Sequence, residues 1–362
     1  MTNTIISFLG LVWFTVLLSA CGERAPYPIK DSGFPAKDGT NVRVYWLDND
    51  RVIFTGYKVD EYLDYEKIGE GRFPKKAIFI WDTRNNKITK YAEGDLTCFF
   101  RNYIRYAEHR GDGSIYFYKG DLGREKAFAS RKSLNTETEY LSGQVEPRVN
   151  LLTCQPDLPK PEWVKGPRVT ELLPEHGYLD FGKDDWIVDD ANPILFYASG
   201  ALVGKPILIG SHEVWKNVTF APFAEAYLIK GFRETPGPAP VWQISKDGEL
   251  KQSPQVPKHK YFESFFQYYL VKNGAFVTTS TNAKFNLAGD SGGYLIHKDG
   301  SVKKVIAGLV EATAISPDGC KVAVINVLHG QARADSMNAL GAGKSGSQTL
   351  KMIDLCKGVN SK

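Results

Sequence analysis

The segment 289–293, Gly-Asp-Ser-Gly-Gly, places a serine hydroxyl in a glycine-rich setting where it could act as an acyl-transfer nucleophile. That chemistry requires a histidine that accepts the hydroxyl proton, an acid that orients the histidine, and donors for the developing oxyanion. The candidate bases upstream of Ser291 are His109, His176 and His212.

The Gly-Asp-Ser-Gly-Gly string resembles the nucleophile segment of chymotrypsin-like serine proteases, but the rest of the chain departs from that family. None of the three histidines stands in the family's Thr-Ala-Ala-His-Cys-like setting, and Tyr294 replaces the proline that follows the second glycine. Glycine and aspartate are also ordinary turn formers. We therefore interpret residues 289–293 as a turn that leads into a strand, and we predict no catalytic residue.

The segment 341–347, GAGKSGS, has the composition of a phosphate-binding loop but not its spacing. Asn338 stands where that loop needs its first glycine, and the following residues, QTLKMIDL, predict a strand where the motif needs a helix. We predict a surface loop over residues 329–348 and no nucleotide cofactor.

Four aspartates lie close together in the segment 184–190, at positions 184, 185, 189 and 190. Clustered carboxylates are ligands for Ca²⁺, but this segment lacks the EF-hand pattern and hairpin turns collect aspartate. We interpret it as a turn and predict no metal site.

The amino terminus has the features of an export signal. Residues 1–20 contain no charged side chain and end in Leu-Ser-Ala before Cys21. This ending resembles the bacterial lipobox, which implies cleavage before Cys21 and acylation of its thiol. The alternative is an ordinary signal peptide with an incidental cysteine. We expect a lipoprotein signal peptide at 1–20, a lipid-anchored tether at 21–40 and a folded domain at 41–362.

These features predict a periplasm-facing protein that is held on the cell envelope by acyl chains at Cys21. Glu23 favours the outer membrane over the inner one by analogy with enteric bacteria. The net charge of +4 and the sequence pI of about 8.6 are too mild to indicate nucleic-acid binding.

The four cysteines that follow the lipobox are Cys98, Cys154, Cys320 and Cys356. An even number in an exported chain predicts two disulfides. Cys320 opens one predicted strand and Cys356 closes the next, so we expect these two to pair. That leaves Cys98 with Cys154. The alternative is four buried free thiols.

Short segments of alternating β-branched and aromatic residues recur between turns of Asp, Asn and Gly, a pattern typical of β-hairpins. One set of hairpins repeats about every 54 residues. It lies at 77–94, 130–143, 185–200, 240–256 and 293–308. A second set precedes each of these and the final strand segment, at 44–56, 104–120, 172–182, 218–231, 268–280 and 314–327.

Two hairpins per unit make four strands, and six such units fill residues 41–356. The hairpin 314–327, AISPDGCKVAVINV, resembles the Ser-Pro-Asp-Gly hairpin of TolB-like and related WD-repeat-type propeller blades. The resemblance implies an all-β propeller, most simply with six four-stranded blades. The sixth unit lacks a fourth strand, so we expect a segment of residues 24–40 beside residues 350–355, or a three-stranded last blade.

The sequence favours a non-catalytic protein-binding propeller, and inhibition of a secreted toxin or lipase effector is the sharpest version of this hypothesis. A propeller that is tethered to the envelope presents a rigid, loop-rimmed face to a protein partner. The alternatives are an envelope scaffold or assembly factor, and a hydrolase or lyase that uses the propeller channel.

Overall fold

The computed structural model of the chain describes fifteen segments, and every structural statement below concerns these residues. They are residues 27–36, 43–58, 76–100, 102–132, 170–173, 177–180, 187–188, 194–198, 204–207, 212–231, 241–245, 247–253, 266–279, 291–327 and 348–358.

The described residues form β-strands, turns and one short 3-10 turn at Pro222–Ala224, with no α-helix among them. The strands are β1 (Ile29–Pro35), β2 (Val44–Trp46), β3 (Arg51–Tyr57), β4 (Lys76–Asp82), β5 (Lys87–Glu93), β6 (Asp95–Phe100), β7 (Tyr103–His109), β8 (Ser114–Asp121), β9 (Lys126–Lys132), β10 (Thr170–Leu173), β11 (Gly177–Asp180), β12 (Ile187–Val188), β13 (Ile194–Ala198), β14 (Lys205–Ile207), β15 (His212–Ala221), β16 (Ala226–Gly231), β17 (Val241–Ser245), β18 (Leu250–Gln252), β19 (Phe266–Val271), β20 (Gly274–Thr279), β21 (Gly292–His297), β22 (Val302–Ala307), β23 (Leu309–Ile315), β24 (Lys321–Val327) and β25 (Thr349–Asp354).

These strands pair into six antiparallel sheets that follow the chain. Sheet 1 has the order β2-β3-β4-β5, sheet 2 β6-β7-β8-β9, sheet 3 β10-β11-β13-β14, sheet 4 β12-β15-β16-β17-β18, sheet 5 β19-β20-β21-β22 and sheet 6 β23-β24-β25-β1. Consecutive four-stranded meanders of this kind give the molecule a propeller-like architecture.

The hydrophobic cores lie between neighbouring sheets. One core joins sheets 6 and 1 through residues such as Trp81 and Ile325, and another joins sheets 5 and 6 through Phe276 and Val324. Further cores lie between sheets 4 and 5 and between sheets 1 and 2. Among the described residues, sheets 4, 5, 6, 1 and 2 therefore bury apolar faces against their neighbours, which is the packing that a repeat of single sheets requires.

The amino-terminal strand β1 lies in sheet 6, beside the last strand of the chain. Ile29 pairs with Ile353, and Asp31 pairs with Lys351. A segment of residues 24–40 therefore lies beside residues 350–355, and sheet 6 has four strands. The neighbour of β25 at this side of the sheet is therefore a strand from the opposite part of the described chain.

The strand predictions for sheet 2 and sheet 3 were wrong in detail. The first strand of sheet 2 is β6, which the hairpin spacing missed, and the expected hairpin 130–143 begins inside β9, with residues 133–143 outside the described part of the chain. In sheet 3, β12 does not pair with β13 as the segment 185–200 suggested. It pairs with β15, which adds a fifth strand to sheet 4.

Candidate functional site

The two ends of the strands in each sheet differ in which strands they connect. At the end that we call the turn edge, the first strand of each sheet connects to the second and, in sheets 1 to 5, the third connects to the fourth. Strands are counted from β15 in sheet 4, and in sheet 6 the fourth strand is β1, which begins at this end. At the opposite edge, which we call the loop edge, the second strand connects to the third. Strands alternate in direction within each sheet, so the two sets of connections lie at opposite ends of the strands.

The turn edges of sheets 5, 6 and 1 lie side by side. The Lys272 amide of sheet 5 donates to the Gly319 carbonyl of sheet 6 over 2.9 Å. The Lys321 ammonium of sheet 6 lies 2.6 Å from the Asp50 carboxylate of sheet 1. Lys30 of β1 donates to the Thr83 carbonyl, also over 2.6 Å. These contacts make the turn edge a continuous surface across three sheets.

The first strands of the sheets also meet. Trp46 Nε1 of β2 donates to the Ala314 carbonyl of β23 over 2.9 Å. The turn between β15 and β16 reaches sheet 6, because a Cβ built on Gly319 would lie 2.7 Å from the Phe223 ring. Sheets 4 and 6 are separated by sheet 5 in the chain. Because the β15–β16 turn of sheet 4 contacts the β23–β24 turn of sheet 6, both turns lie on the inner side of the six sheets.

The amino-terminal segment enters the described structure at the turn edge. Tyr27 is buried, with 5% of its surface exposed. Its hydroxyl lies 3.2 Å from His297 Nε2, at the end of β21, and its ring lies 5.7 Å from the Lys303 ammonium. Gly358 contacts the same ring, since a Cβ there would lie 3.1 Å from it. Burial raises the pKa of the Tyr27 hydroxyl, which therefore stays protonated at neutral pH.

The predicted lipidation residue, Cys21, lies outside the described residues, as does the whole segment 1–20. Only five residues lie between Cys21 and Tyr27, the first residue that the structure describes. None of the described residues belongs to a helix that is long and apolar enough to cross a membrane.

The motifs that suggested chemistry fall in connections at the loop edge. Residues 289–290 and 341–347 lie outside the described chain, in the connections β20–β21 and β24–β25. The four aspartates of the segment 184–190 are also outside it, although β12 stands between them. His176 is not described, and of His212 only the main chain is described, at the start of β15.

Ser291 immediately precedes β21 and is buried, with 7% of its surface exposed. Its carbonyl oxygen accepts a hydrogen bond from the Gly308 amide over 3.1 Å. A Cβ at Gly292 would lie 2.3 Å from the Ile306 carbonyl, and a Cβ at Gly293 would lie 2.5 Å from the Phe276 ring. These two glycines therefore allow close strand packing, which explains the motif without a nucleophile.

His109 lies at the end of β7, far from Ser291 in the sheet order. Its Nε2 lies 3.7 Å from the Asp95 carboxylate, which also lies 3.6 Å from the Lys76 ammonium. His109 and Asp95 belong to sheet 2, whereas Ser291 borders sheet 5. The structure thus does not bring His109 and Ser291 together as a catalytic pair.

Sequence reasoning missed the polar side chains on the first strands. The Tyr269 hydroxyl of β19 donates to Gln267 Oε1 over 2.6 Å. Burial raises the pKa of Tyr269 to about 12, although the Thr313 side chain of β23 opposes this rise. At neutral pH Tyr269 is therefore a neutral hydrogen-bond donor, which suits ligand binding more than proton transfer.

A buried polar network in sheet 6 was also missed. The Lys351 ammonium lies 2.5 Å from Asn326 Oδ1 and 3.5 Å from the Asp31 carboxylate. Thr349 donates to the same carboxylate over 2.9 Å, and Asn326 donates to the Ala307 carbonyl over 3.0 Å. Burial lowers the pKa of Lys351, and the charge of Asp31 opposes this shift. The network joins β1 to the sheet that it completes.

The cysteines follow the strand register. Cys320 precedes β24 and Cys356 follows β25, and the two form a disulfide with Cα atoms 5.1 Å apart. Cys98, in β6, is buried and disulfide-bonded. Its predicted partner, Cys154, lies outside the described residues. Among the described residues, no group of three or more His, Cys, Asp or Glu side chains could hold a metal ion.

Comparison with known proteins gives no family. No family model matches this chain. No curated protein matches it either. Among solved structures, it is similar to an oligogalacturonate lyase from Vibrio parahaemolyticus, at 7% identity and a TM-score of 0.45, over 92% of this chain and 94% of that one.

Two further likenesses are to proteins with other functions. TolB from Acinetobacter baumannii is 12% identical, with a TM-score of 0.35, over 92% of this chain and 81% of that one. The β-propeller domain of the Trilobed protease from Pyrococcus furiosus is 11% identical, with a TM-score of 0.30, over 81% and 80% of the two chains. Likenesses this distant assign no activity to this chain.

Proposed function

We propose that this protein is a lipid-anchored, non-catalytic binding protein that presents its loop edge to a protein partner in the periplasm. The observation that carries the proposal is the position of Tyr27 at the turn edge, against His297 and Gly358. A membrane anchor at Cys21 would be attached to this edge. The loop edge, with its long connections, would then face away from the bilayer.

The proposal includes a ring of six blades, in which β1 supplies the fourth strand of the last blade and β12 adds a fifth strand to the fourth blade. Contacts between described residues run from sheet 3, where Phe196 faces Gly248 of sheet 4, through sheets 5 and 6 to sheet 1. The Leu96 amide of sheet 2 donates to the Thr55 hydroxyl of sheet 1 over 2.9 Å, which continues the series. A ring would make the loop edge one rigid, loop-rimmed face.

The sharpest version of this function is immunity, in which the loop edge blocks a secreted toxin or lipase effector. An envelope scaffold or assembly factor would use the same anchor and the same face. The connections between the second and third strands of sheets 1, 5 and 6 contain 18, 12 and 21 residues, at 58–75, 280–291 and 328–348, a chain length that is sufficient for contact with a protein partner.

The test combines anchoring with partner capture. Cys21→Ala should abolish incorporation of labelled palmitate, and a wild type without label would overturn the anchor. A short epitope inserted within residues 341–347 should prevent co-purification of the partner from membranes. The same epitope after Gly123, an exposed turn-edge position where an added Cβ meets nothing within 4 Å, should leave capture intact. Equal capture by both insertions would refute the loop edge as the binding face.

A second candidate is a ligand-processing enzyme of the hydrolase or lyase class, favoured by the neutral Tyr269 and its partner Gln267 on the first strands. In that case Tyr269→Phe would reduce turnover of a polar ligand while leaving capture of a protein partner unchanged. Loss of partner capture without any ligand effect would speak against the enzyme.

A further inference from the structure

The lysines at the turn edge surround the point where the amino-terminal segment emerges. Lys303 faces the Tyr27 ring directly. Lys298 follows His297 and Lys357 precedes Gly358, and both of these neighbours contact Tyr27. Lys272 belongs to the neighbouring turn, which is joined to the last turn of the chain because Asn273 Nδ2 donates to the Leu355 carbonyl over 3.1 Å. We call Lys272, Lys298, Lys303 and Lys357 the tether-side lysines; all four are exposed.

The aspartates of the same turns accept hydrogen bonds from backbone amides within those turns. Asp299 accepts the Ser301 amide over 2.9 Å, Asp318 accepts the Cys320 amide over 3.0 Å, and Asp354 accepts the Cys356 amide over 3.2 Å. Bonds to the backbone hold these short carboxylates against their own turns. The long lysine side chains extend into solvent, and 78% of the Lys357 side chain is exposed even though its ammonium lies 3.4 Å from Asp354. The outermost charge of this surface is therefore positive.

The position of the anchor brings this surface close to the bilayer. Tyr27 lies six positions after Cys21, and a chain of that length spans at most about 20 Å. Charges attract an anionic membrane only within about 8 Å at physiological ionic strength, so a short tether is needed for the lysines to act. We propose that the tether-side lysines dock the turn edge onto the phosphate groups of anionic phospholipids. This proposal rests on the anchor at Cys21.

Amine footprinting of the full-length lipidated protein in vesicles tests the docking. Vesicles of phosphatidylcholine alone and of phosphatidylcholine with phosphatidylglycerol are compared by flotation and by acetylation of each lysine. We expect the protein to float with both, and acetylation of the tether-side lysines to fall about threefold or more only in the anionic vesicles. High salt should restore the acetylation, because salt screens the attraction between the lysines and the anionic lipid. Two exposed lysines away from the turn edge serve as internal controls: Lys58, which follows β3 at the loop edge, and Lys90, within β5.

A pair of matched variants completes the experiment. Anionic vesicles should slow the amide hydrogen exchange of residues 297–303. Replacing the four tether-side lysines by glutamine should remove this slowing. The same replacement at the two control lysines, Lys58 and Lys90, should preserve it. Flotation with both kinds of vesicle but equal acetylation would overturn the docking alone. Failure to float with either would overturn the anchor, and the docking with it.

Discussion

Asp31 and Lys351 are separated by nearly the whole chain, yet they stand directly opposite each other in β1 and β25, with their charged atoms 3.5 Å apart. Both side chains are largely buried, at 13% and 10% exposure. Loss of one partner leaves the other charge buried without compensation, which is costly. This ion pair therefore makes the attachment of β1 sensitive to a single substitution.

Asp31→Asn should lower the free energy of unfolding by about 2–4 kcal/mol, measured by urea denaturation at pH 7. The loss should shrink as the pH rises above neutral, because without the Asp31 charge burial alone lowers the pKa of Lys351, so the folded variant releases the lysine proton before the unfolded state does. Glu93→Gln, in the exposed pair with Lys90, is the control and should cost less than about 1 kcal/mol. Equal effects of the two substitutions would contradict a structural role for the buried pair.

Gly319 and Gly300 both adopt left-handed backbone conformations, with φ of 71° and 84°, but only Gly319 contacts a neighbouring side chain. Gly300→Ala should cost about 1–2 kcal/mol of stability for the backbone alone. Gly319→Ala should cost about 1–3 kcal/mol more, since its Cβ would overlap the Phe223 ring. Urea denaturation of both variants measures the difference. Similar losses would show that Phe223 does not pack against this turn.

Ser291→Ala should change the free energy of unfolding by less than about 1 kcal/mol, because the bond from Gly308 uses the main-chain carbonyl, which alanine retains. Gly292→Ala should cost about 2–3 kcal/mol, since its Cβ would lie 2.3 Å from a backbone oxygen. Thermal and urea denaturation compare the two variants. A fluorophosphonate probe that labels the folded wild type but not Ser291→Ala would instead identify Ser291 as a nucleophile.

The disulfide Cys320–Cys356 closes a loop of 36 residues. The double substitution to serine should lower the free energy of unfolding by about 3–4 kcal/mol on the loop-entropy estimate. Reduction of the wild type and of the variant provides the control, because both should then unfold at nearly the same denaturant concentration. Peptide mapping without reductant should join Cys320 to Cys356. A peptide that joins Cys98 to either of them would contradict the strand register.

Alkaline pH should destabilise the protein. Burial raises the pKa values of Tyr106, Tyr268 and Tyr269 to about 12, whereas an unfolded tyrosine titrates near 10. Between these values the folded state binds more protons than the unfolded state, so the free energy of unfolding must fall as the pH rises. Denaturation at several pH values between about 9 and 12 measures the slope. Tyr268→Phe should make it shallower, and an unchanged slope would show that Tyr268 does not contribute.

The local pattern of the sequence was sufficient for most hairpins. In sheets 1, 4 and 5 and in β23–β24, alternating side chains and turns such as Ser-Pro-Asp-Gly at 316–319 coincide with the observed strands. Both signals arise from neighbouring residues, so they can be recognised without knowledge of the fold. The pairing of Cys320 with Cys356 followed from the same local register, because each cysteine flanks one of two adjacent strands.

Other elements depended on partners that the local pattern does not specify. β6 follows β5 after a single residue, Gly94, so no turn cluster marked its start. β12 looked like half of a local hairpin, but it pairs with β15, because the edge of a sheet accepts any strand that reaches it. The close packing at Gly292 and Gly293 likewise depends on Ile306 and Phe276, which only the pairing of strands brings near.

The sequence by itself determined that this chain folds into short antiparallel strands, since alternation and turn chemistry act over a few residues. The tertiary structure decided which distant residues meet: Tyr27 with His297, Asp31 with Lys351, and Gly319 with Phe223. Each of these contacts forms only when sheets from different parts of the chain pack side by side. The physical reason is that burial of apolar surface between sheets, and not local conformational preference, decides which sheets pack against each other.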